Sequence, residues 1–170
     1  MIVIAFSGKK KHGKNTAANI LAAKTNLVCA EFAFADDLKI ELAKMLGISV
    51  KEIEQNKDLY RHLLQALGVY RRETKGQDYW VEKVLFKMSR STADLAIVTD
   101  TRFLNEYTKM AYIGAVVVRV NRPSVKSTDE HPSETELDNV PFDFVLTNDT
   151  LDNLASQIEM LMQKLNIKTK

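Results

Sequence analysis

At 170 residues, with 45% hydrophobic and 27% charged side chains, the chain has the size of one domain, since domains run to ~100–200 residues, and a second independent core is not expected. Its 24 basic and 22 acidic side chains leave a net charge of +2, which excludes capture of nucleic acid through a strong overall field, so any bound anion must be held locally. The lone cysteine, Cys29, excludes a disulfide framework and reads as a buried reduced thiol; no apolar run approaches the ~20 residues that span a bilayer, and no signal peptide is evident, so a cytoplasmic protein without a membrane partner is expected.

Ile2-Val3-Ile4-Ala5-Phe6 is a short apolar run bounded by Ser7-Gly8, the pattern of a strand buried on both faces. The turn after it, Gly8-Lys9-Lys10-Lys11-His12-Gly13-Lys14-Asn15-Thr16, matches the phosphate-loop pattern G-x-x-x-x-G-K. It then departs, with Asn15 where the motif has Ser or Thr and Thr16 one place later. Glycines let the backbone wrap an anion, and the helix that follows, Lys14 to Lys24, presents its positive end to the same anion. Gly8, His12, Gly13 and Lys14 are therefore candidate nucleotide ligands. Lys14 would bridge the β- and γ-phosphates, and Asn15 or Thr16 would touch phosphate or a magnesium-bound water. The alternative is a turn that merely starts a surface helix, with Lys9 to Lys11 as a solvated charge run. The buried-type strand before the turn and the helix after it favour phosphate.

Val28 to Ala35 is strand-like, with alternating Phe32 and Phe34, and passes into a helix, Asp36 to Leu46, ended by Gly47. Asp36 either caps that helix or serves as a carboxylate near the phosphate loop. From about Lys51 to Ser91 there is no convincing strand, only two or three helices. Within Asp58 to Arg72, a turn of 100° per residue puts Leu63, Leu67 and Tyr70 on one side and Arg61, Gln65, Gly68 and Arg72 on the other. That polar stripe reads either as a solvated face or as a surface for a phosphate and a base edge. Trp80, the only tryptophan, either packs in the core or stacks on a nucleobase.

Leu95 to Thr99 and Ala115 to Val120 are strand-like and flank a helical Phe103 to Ile113. Phe142 to Leu146 makes a fifth strand, and Leu151 to Leu165 a closing helix with apolar Leu151, Leu154, Ile158, Leu161 and Met162. The alternation predicts an α/β fold with a mostly parallel sheet covered by helices on both faces. Ligands of such sheets lie beyond the carboxyl ends of the strands, which gives weight to Asp36, Asp37, Asp100 and Arg102. Asp100 can hold magnesium in the manner of a Walker-B carboxylate. Arg102 can chelate a phosphate bidentately. A surface ion pair is the structural alternative for the two.

Six motifs occur in one order: the loop ending Lys14-Asn15-Thr16, Phe34-Ala35-Asp36-Asp37-Leu38-Lys39, Leu63-Leu64-Gln65-x-Leu67-Gly68, Asp78-Tyr79-Trp80-Val81, Thr99-Asp100-Thr101-Arg102-Phe103-x-Asn105-Glu106, and His131-Pro132-Ser133-Glu134. In that order the chain resembles the phage-type deoxynucleoside monophosphate kinases, from the first strand through Asn148-Asp149. The resemblance implies a three-layer α/β/α P-loop kinase fold in a single domain. Its core would be 1–46 and 92–170, its helical nucleotide-binding insert about 48–91 and its lid about 119–137. It implies ATP and magnesium as cofactors, a deoxynucleoside monophosphate as acceptor, and dNDP and ADP as products; a homodimer is common among such kinases. Lys14, Asn15 and Thr16 then fall on phosphate-loop positions. Lys39, Arg61, Gln65, Gly68, Arg72 and Trp80 fall on substrate positions, and Asp100, Arg102 and Glu106 on the active-site strand end and following helix. Arg122 leads among the lid cations, ahead of Arg119, Lys126 and His131, and Asp36 joins Asp100 as a catalytic carboxylate. Asn15 stands where family members commonly carry Asp, and Val69 where they carry Thr. The rivals are another P-loop small-molecule kinase of the dephospho-coenzyme A kinase kind, and a nucleic-acid-associated NTPase using Lys9 to Lys11.

Overall fold

β1 (Ile2–Ser7) runs buried from Ile4 onward and ends in the glycine–lysine loop, from which α1 (Lys14–Lys24) departs. The computed structural model describes residues 1–126 and 130–170. There follow β2 (Cys29–Phe32), α2 (Phe34–Leu46), α3 (Val50–Gln55), α4 (Lys57–Lys75), α5 (Tyr79–Ser89), β3 (Leu95–Thr101), α6 (Leu104–Tyr112), β4 (Val116–Asn121), α7 (Pro132–Thr135), β5 (Phe144–Thr147) and α8 (Leu151–Lys164). These pack as two units, one of residues 1–32 and 91–170 and one of residues 33–90.

The first unit holds the sheet, ordered β2-β3-β1-β4-β5. All of its pairings are parallel. Period-two alternation sends Ile4 and Phe6, Leu95 and Ile97, and Val118 and Val120 into one core with Ala17, Ala18 and Leu21 of α1 and Leu154, Ile158 and Leu161 of α8. Each large apolar side chain fully buried there contributes ~1.5–3 kcal/mol. The connection β1–α1–β2 and the connection β3–α6–β4 cross the sheet in opposite directions. Right-handed crossovers therefore place α1 and α6 on opposite faces, with a crevice beyond the carboxyl end of β1. No helix among the described residues is long and apolar enough to cross a membrane.

The second unit is helical. Leu42, Ala43, Ile53 and Leu67 form its buried cluster, with Leu38, Ile48, Val50, Tyr60 and Leu64 against it. Ser49 caps α3, its hydroxyl accepting from the Glu52 amide at 3.1 Å.

Several boundaries differ from the sequence expectation. The second strand stops at Phe32, and α2 begins at Phe34 after an extended Ala33. The Phe32/Phe34 alternation bridges a strand end and a helix start. Asp36 is therefore neither a strand-end residue nor a side-chain cap. It lies in the first turn of α2 beside Asp37, where the helix dipole favours carboxylates. β3 runs on to Thr101, so Asp100 lies inside the strand. β5 starts at Phe144; before it, the Asp143 carboxylate accepts from the Val117 amide at 2.7 Å. Cys29 is only partly buried, its thiol pKa raised by burial and by Glu31 and Asp94 against the pull of Lys170.

Candidate active site

The loop between β1 and α1 is built from backbone that side chains resist. Gly8 has φ +152° and Gly13 φ +98°, both in the region that favours glycine. A Cβ on Gly8 would lie 2.5 Å from the Val120 carbonyl oxygen, and one on Gly13 2.2 Å from the Asn148 Nδ2. The first turn of α1 has neither a side-chain cap nor an acidic residue. Its amides and positive dipole end are thus left for an anion from outside the chain. Lys14 is only 6% exposed. Its Nζ donates to the carbonyl oxygens of Gly8 at 2.6 Å and Lys9 at 3.0 Å. Burial, then the nearby Arg102 and Arg119 charges, push its pKa down to about 7, against the opposite pull of Glu134 and Asp100. An ammonium so short of counter-charge is stabilised by a phosphate.

Within the loop Asn15 is exposed and Thr16 half-buried. His12 is buried; its Nδ1 accepts the Arg122 amide at 3.3 Å. Burial, with Lys14 and Arg119, lowers the imidazole pKa although the backbone of Val125 and Val120 opposes this. Such a ring is neutral, as an Nδ1 acceptor must be. Asn148 donates from Nδ2 to the His12 carbonyl oxygen at 3.0 Å and so pins the loop from the far edge of the sheet.

Arg102 follows β3 directly. The Glu106 Oε2 accepts the amides of Arg102 at 2.7 Å and Phe103 at 3.1 Å. This carboxylate shapes the turn into α6. The Arg102 Nη1 donates to Glu134 Oε1 at 2.5 Å and to the Ser133 carbonyl oxygen at 3.2 Å. Arg119, expected in the lid, belongs to β4. It is buried, donating to Ser7 Oγ at 3.2 Å and Asp138 Oδ1 at 2.7 Å. Arg122 is exposed, on a turn closed by the Val125 amide and the Arg122 carbonyl at 2.9 Å. Lys9 pairs with Asp138 at 2.7 Å, so the lysine run is partly answered by the chain's own acids. The expected lid 119–137 includes Ser127 to Asp129, which lie outside the described residues.

In the helical unit, Arg61, Gln65, Gly68 and Arg72 all lie on α4. The expected faces are only partly kept: Leu67 is buried as expected, but Leu63 is 46% and Tyr70 55% exposed, while Arg61, Gln65 and Arg72 are half-buried and Gly68 buried. Arginine stems cover apolar surface, so a stripe that looks solvated can be the covered one. Trp80 is 3% exposed. Its indole N–H donates to the Gly68 carbonyl oxygen at 3.3 Å, which supports the stripe from behind instead of offering a ring face. Lys39 bonds Asp36 at 2.9 Å and Glu54 at 3.0 Å. These partners more than offset the burial that alone would lower its pKa, and they raise it.

Asn148, Ser7, Glu134 and Asp138 were not singled out from sequence as site residues. Asn148 carried a usable signal, since it directly follows a strand end. Among the described residues no group of three or more His, Cys, Asp or Glu could cage a metal. Thr16 and Asp100, expected from sequence near the nucleotide, carry oxygen donors of the kind that magnesium takes.

A parallel sheet of this order, with its first strand opening into a glycine-lined lysine loop and an uncapped helix, defines a P-loop kinase. The chain belongs to the deoxynucleotide monophosphate kinase family, whose model matches residues 48–158. It is 28% identical over 187 aligned positions to a putative deoxynucleotide monophosphate kinase of Acanthamoeba polyphaga mimivirus, a match covering 93% of this chain and 94% of the relative. It is 37% identical over 112 positions to the deoxynucleotide monophosphate kinase of Enterobacteria phage T4, covering 62% of this chain and 46% of the relative. The corresponding Escherichia phage RB69 enzyme is 36% identical over 110 positions, 61% of this chain and 44% of the relative. The match thus spans less than half the length of either phage protein. In fold the chain is similar to shikimate kinase from Aquifex aeolicus, at TM-score 0.51 and 14% identity over 97% of this chain and 98% of that one. It is similar also to the Deinococcus radiodurans tunicamycin resistance protein, at TM-score 0.54 and 13% identity over 99% and 98%.

Proposed function

We propose that the chain transfers the γ-phosphoryl group of ATP to a deoxynucleoside monophosphate, giving ADP and the dNDP. The observation that carries this is the buried Lys14 ammonium, bonded among the described residues only to loop carbonyls, at the uncapped start of α1. In this reading the loop amides from Gly8 to Thr16 bind the ATP phosphates, Lys14 bridges β and γ, and Arg102 grips the phosphate that is transferred or receives it. Arg122 adds charge from its exposed turn. Arg61, Gln65 and Arg72 recognise the acceptor, with Gly68 leaving it room, Trp80 backing the stripe, and Lys39 and Asp36 contributing as an ion pair. Thr16 or Asn15 with Asp100 would hold magnesium, which when bound neutralises charge on the phosphate oxygens. Glu106 holds the Arg102 turn.

Phosphoryl transfer passes through a loose transition state, so alignment and charge compensation suffice and no strong base is needed. Coupled ADP release across the four dNMPs, dUMP, the ribonucleotides and dephospho-coenzyme A tests the reading. ADP release with dNMPs alone supports it. Turnover of dephospho-coenzyme A, or hydrolysis without an acceptor that DNA stimulates, overturns it.

A further inference from the structure

We propose that Glu134 is a positioning residue that ties Arg102 to the phosphate loop, so that the loop itself sets where the arginine meets a phosphate. Its side chain has no exposed surface. One carboxylate oxygen accepts the Lys10 amide at 2.6 Å, and the other accepts the Arg102 Nη1 at 2.5 Å. A single rigid group thus bonds the loop after β1 and the arginine after β3. With Nη1 committed to Glu134 and Ser133, the Nε–Nη2 edge of the guanidinium is the one that the described residues leave to grip a phosphate with two parallel bonds.

A loop amide and an arginine also make an anion site, and a carboxylate within it could be a plug that ATP must expel. The surroundings favour a strut. Glu134 stands on α7, which starts with Pro132 and is capped by the His131 Nδ1 accepting the Ser133 amide at 3.1 Å. Beyond it, Glu136 Oε1 accepts the Leu104 amide at 2.8 Å, Leu137 is buried, and Asp138 bonds Lys9 at 2.7 Å and Arg119 at 2.7 Å. Three acidic residues spaced two apart therefore tie one segment to the loop, to the start of α6 and to β4. Expelling Glu134 would break into all of these at once. A fixed carboxylate keeps the arginine fork in one orientation, which is worth most when the transferring group must be in line.

The inference rests on the kinase reading above. The test is steady-state kinetics of Glu134→Gln, Arg102→Lys and the double variant in the full chain, with ATP and a dNMP, together with ATP binding by calorimetry and thermal melts. The amide keeps the shape but loses the charge that holds the guanidinium. Glu134→Gln is expected to lower kcat about 10- to 100-fold, the scale of a misplacement near 1 Å, while ATP affinity stays within a few-fold. In the double variant the Gln substitution should add almost nothing to the loss from Arg102→Lys, which a merely structural role would not produce. If Glu134→Gln does not fold, Glu134→Asp keeps the charge and carries the same comparison. Tighter ATP binding with unchanged kcat, or losses that multiply in the double variant, would overturn the strut. A wild-type chain that releases no ADP with any monophosphate overturns the kinase reading instead.

Discussion

The Asn148 side-chain amide donates to the His12 carbonyl oxygen at 3.0 Å, and the same nitrogen stands 2.2 Å from where a Cβ on Gly13 would lie. The loop is thus clamped from outside at its tightest point. Gly13→Ala should fail for two separable reasons, the φ of +98° and the clash. Asn148→Ala removes the clash but not the dihedral, and it also leaves the His12 carbonyl without this donor, at a cost of ~1–3 kcal/mol. The expected order of stability in denaturant melts is wild type, then Asn148→Ala, then Gly13→Ala. The double variant should recover only part of the Gly13→Ala loss. Full recovery would mean that the dihedral carries no strain.

Lys14 links pH to both stability and nucleotide binding. Burial lowers its pKa from 10.5 to about 7, so between those values the unfolded chain holds a proton that the ligand-free folded protein has shed. Ligand-free stability therefore rises with pH across that window. ATP binding has the opposite sign, because phosphate needs the ammonium. Above pH 7 ATP affinity should fall by up to roughly tenfold per pH unit, with uptake of about one proton per ATP bound. Calorimetry in two buffers of different ionisation enthalpy reads that proton. Affinity independent of pH from 7 to 9 would show Lys14 already charged in the free protein.

The parts legible in the sequence are those whose signal is local. The run Ile2 to Phe6 followed by the glycine–lysine loop contains its own strand, turn and helix start, and the α8 stripe Leu154, Ile158, Leu161 repeats at helical spacing. Legibility ends where a local pattern fits two structures. Phe32 and Phe34 alternate across a strand end and a helix start, and on α4 the apolar Leu63 and Tyr70 are exposed while Gly68, on the polar stripe, is buried. It ends also where partners are distant. Glu134 meets the Lys10 amide across 124 positions and Asn148 meets His12 across 136, and a four-residue helix such as α7 is too short to show a period. Only the sheet order brings these residues to one rim.

Gly68 separates substrate recognition from stability. It lies inside α4, where a Cβ would make only ordinary contacts, 3.6 Å to Leu38 Cδ2 and 3.8 Å to Arg72 Nη2. Gly68→Ala should therefore stabilise the helical unit by about 0.5–1 kcal/mol, since glycine in a helix interior costs that much relative to alanine. If the hydrogen is kept so that the acceptor can approach the stripe, the same substitution should lower kcat/KM for the dNMP by about 10- to 100-fold. A more stable protein with unchanged kinetics would remove Gly68 from the substrate surface.

Trp80 is the only tryptophan, so its fluorescence reports one site. A ring 3% exposed and bonded through its N–H to Gly68 should emit to the blue of free tryptophan and resist quenching by acrylamide. A saturating dNMP should leave its intensity nearly unchanged, because the purine or pyrimidine has no open ring face to stack upon. Trp80→Phe keeps most of the packing and loses one hydrogen bond, costing ~0.5–1.5 kcal/mol, with a small rise in KM transmitted through the Gly68 carbonyl. Strong quenching by a dNMP, together with a KM rise far above that expected from so small a loss of stability, would instead place the base directly against the indole.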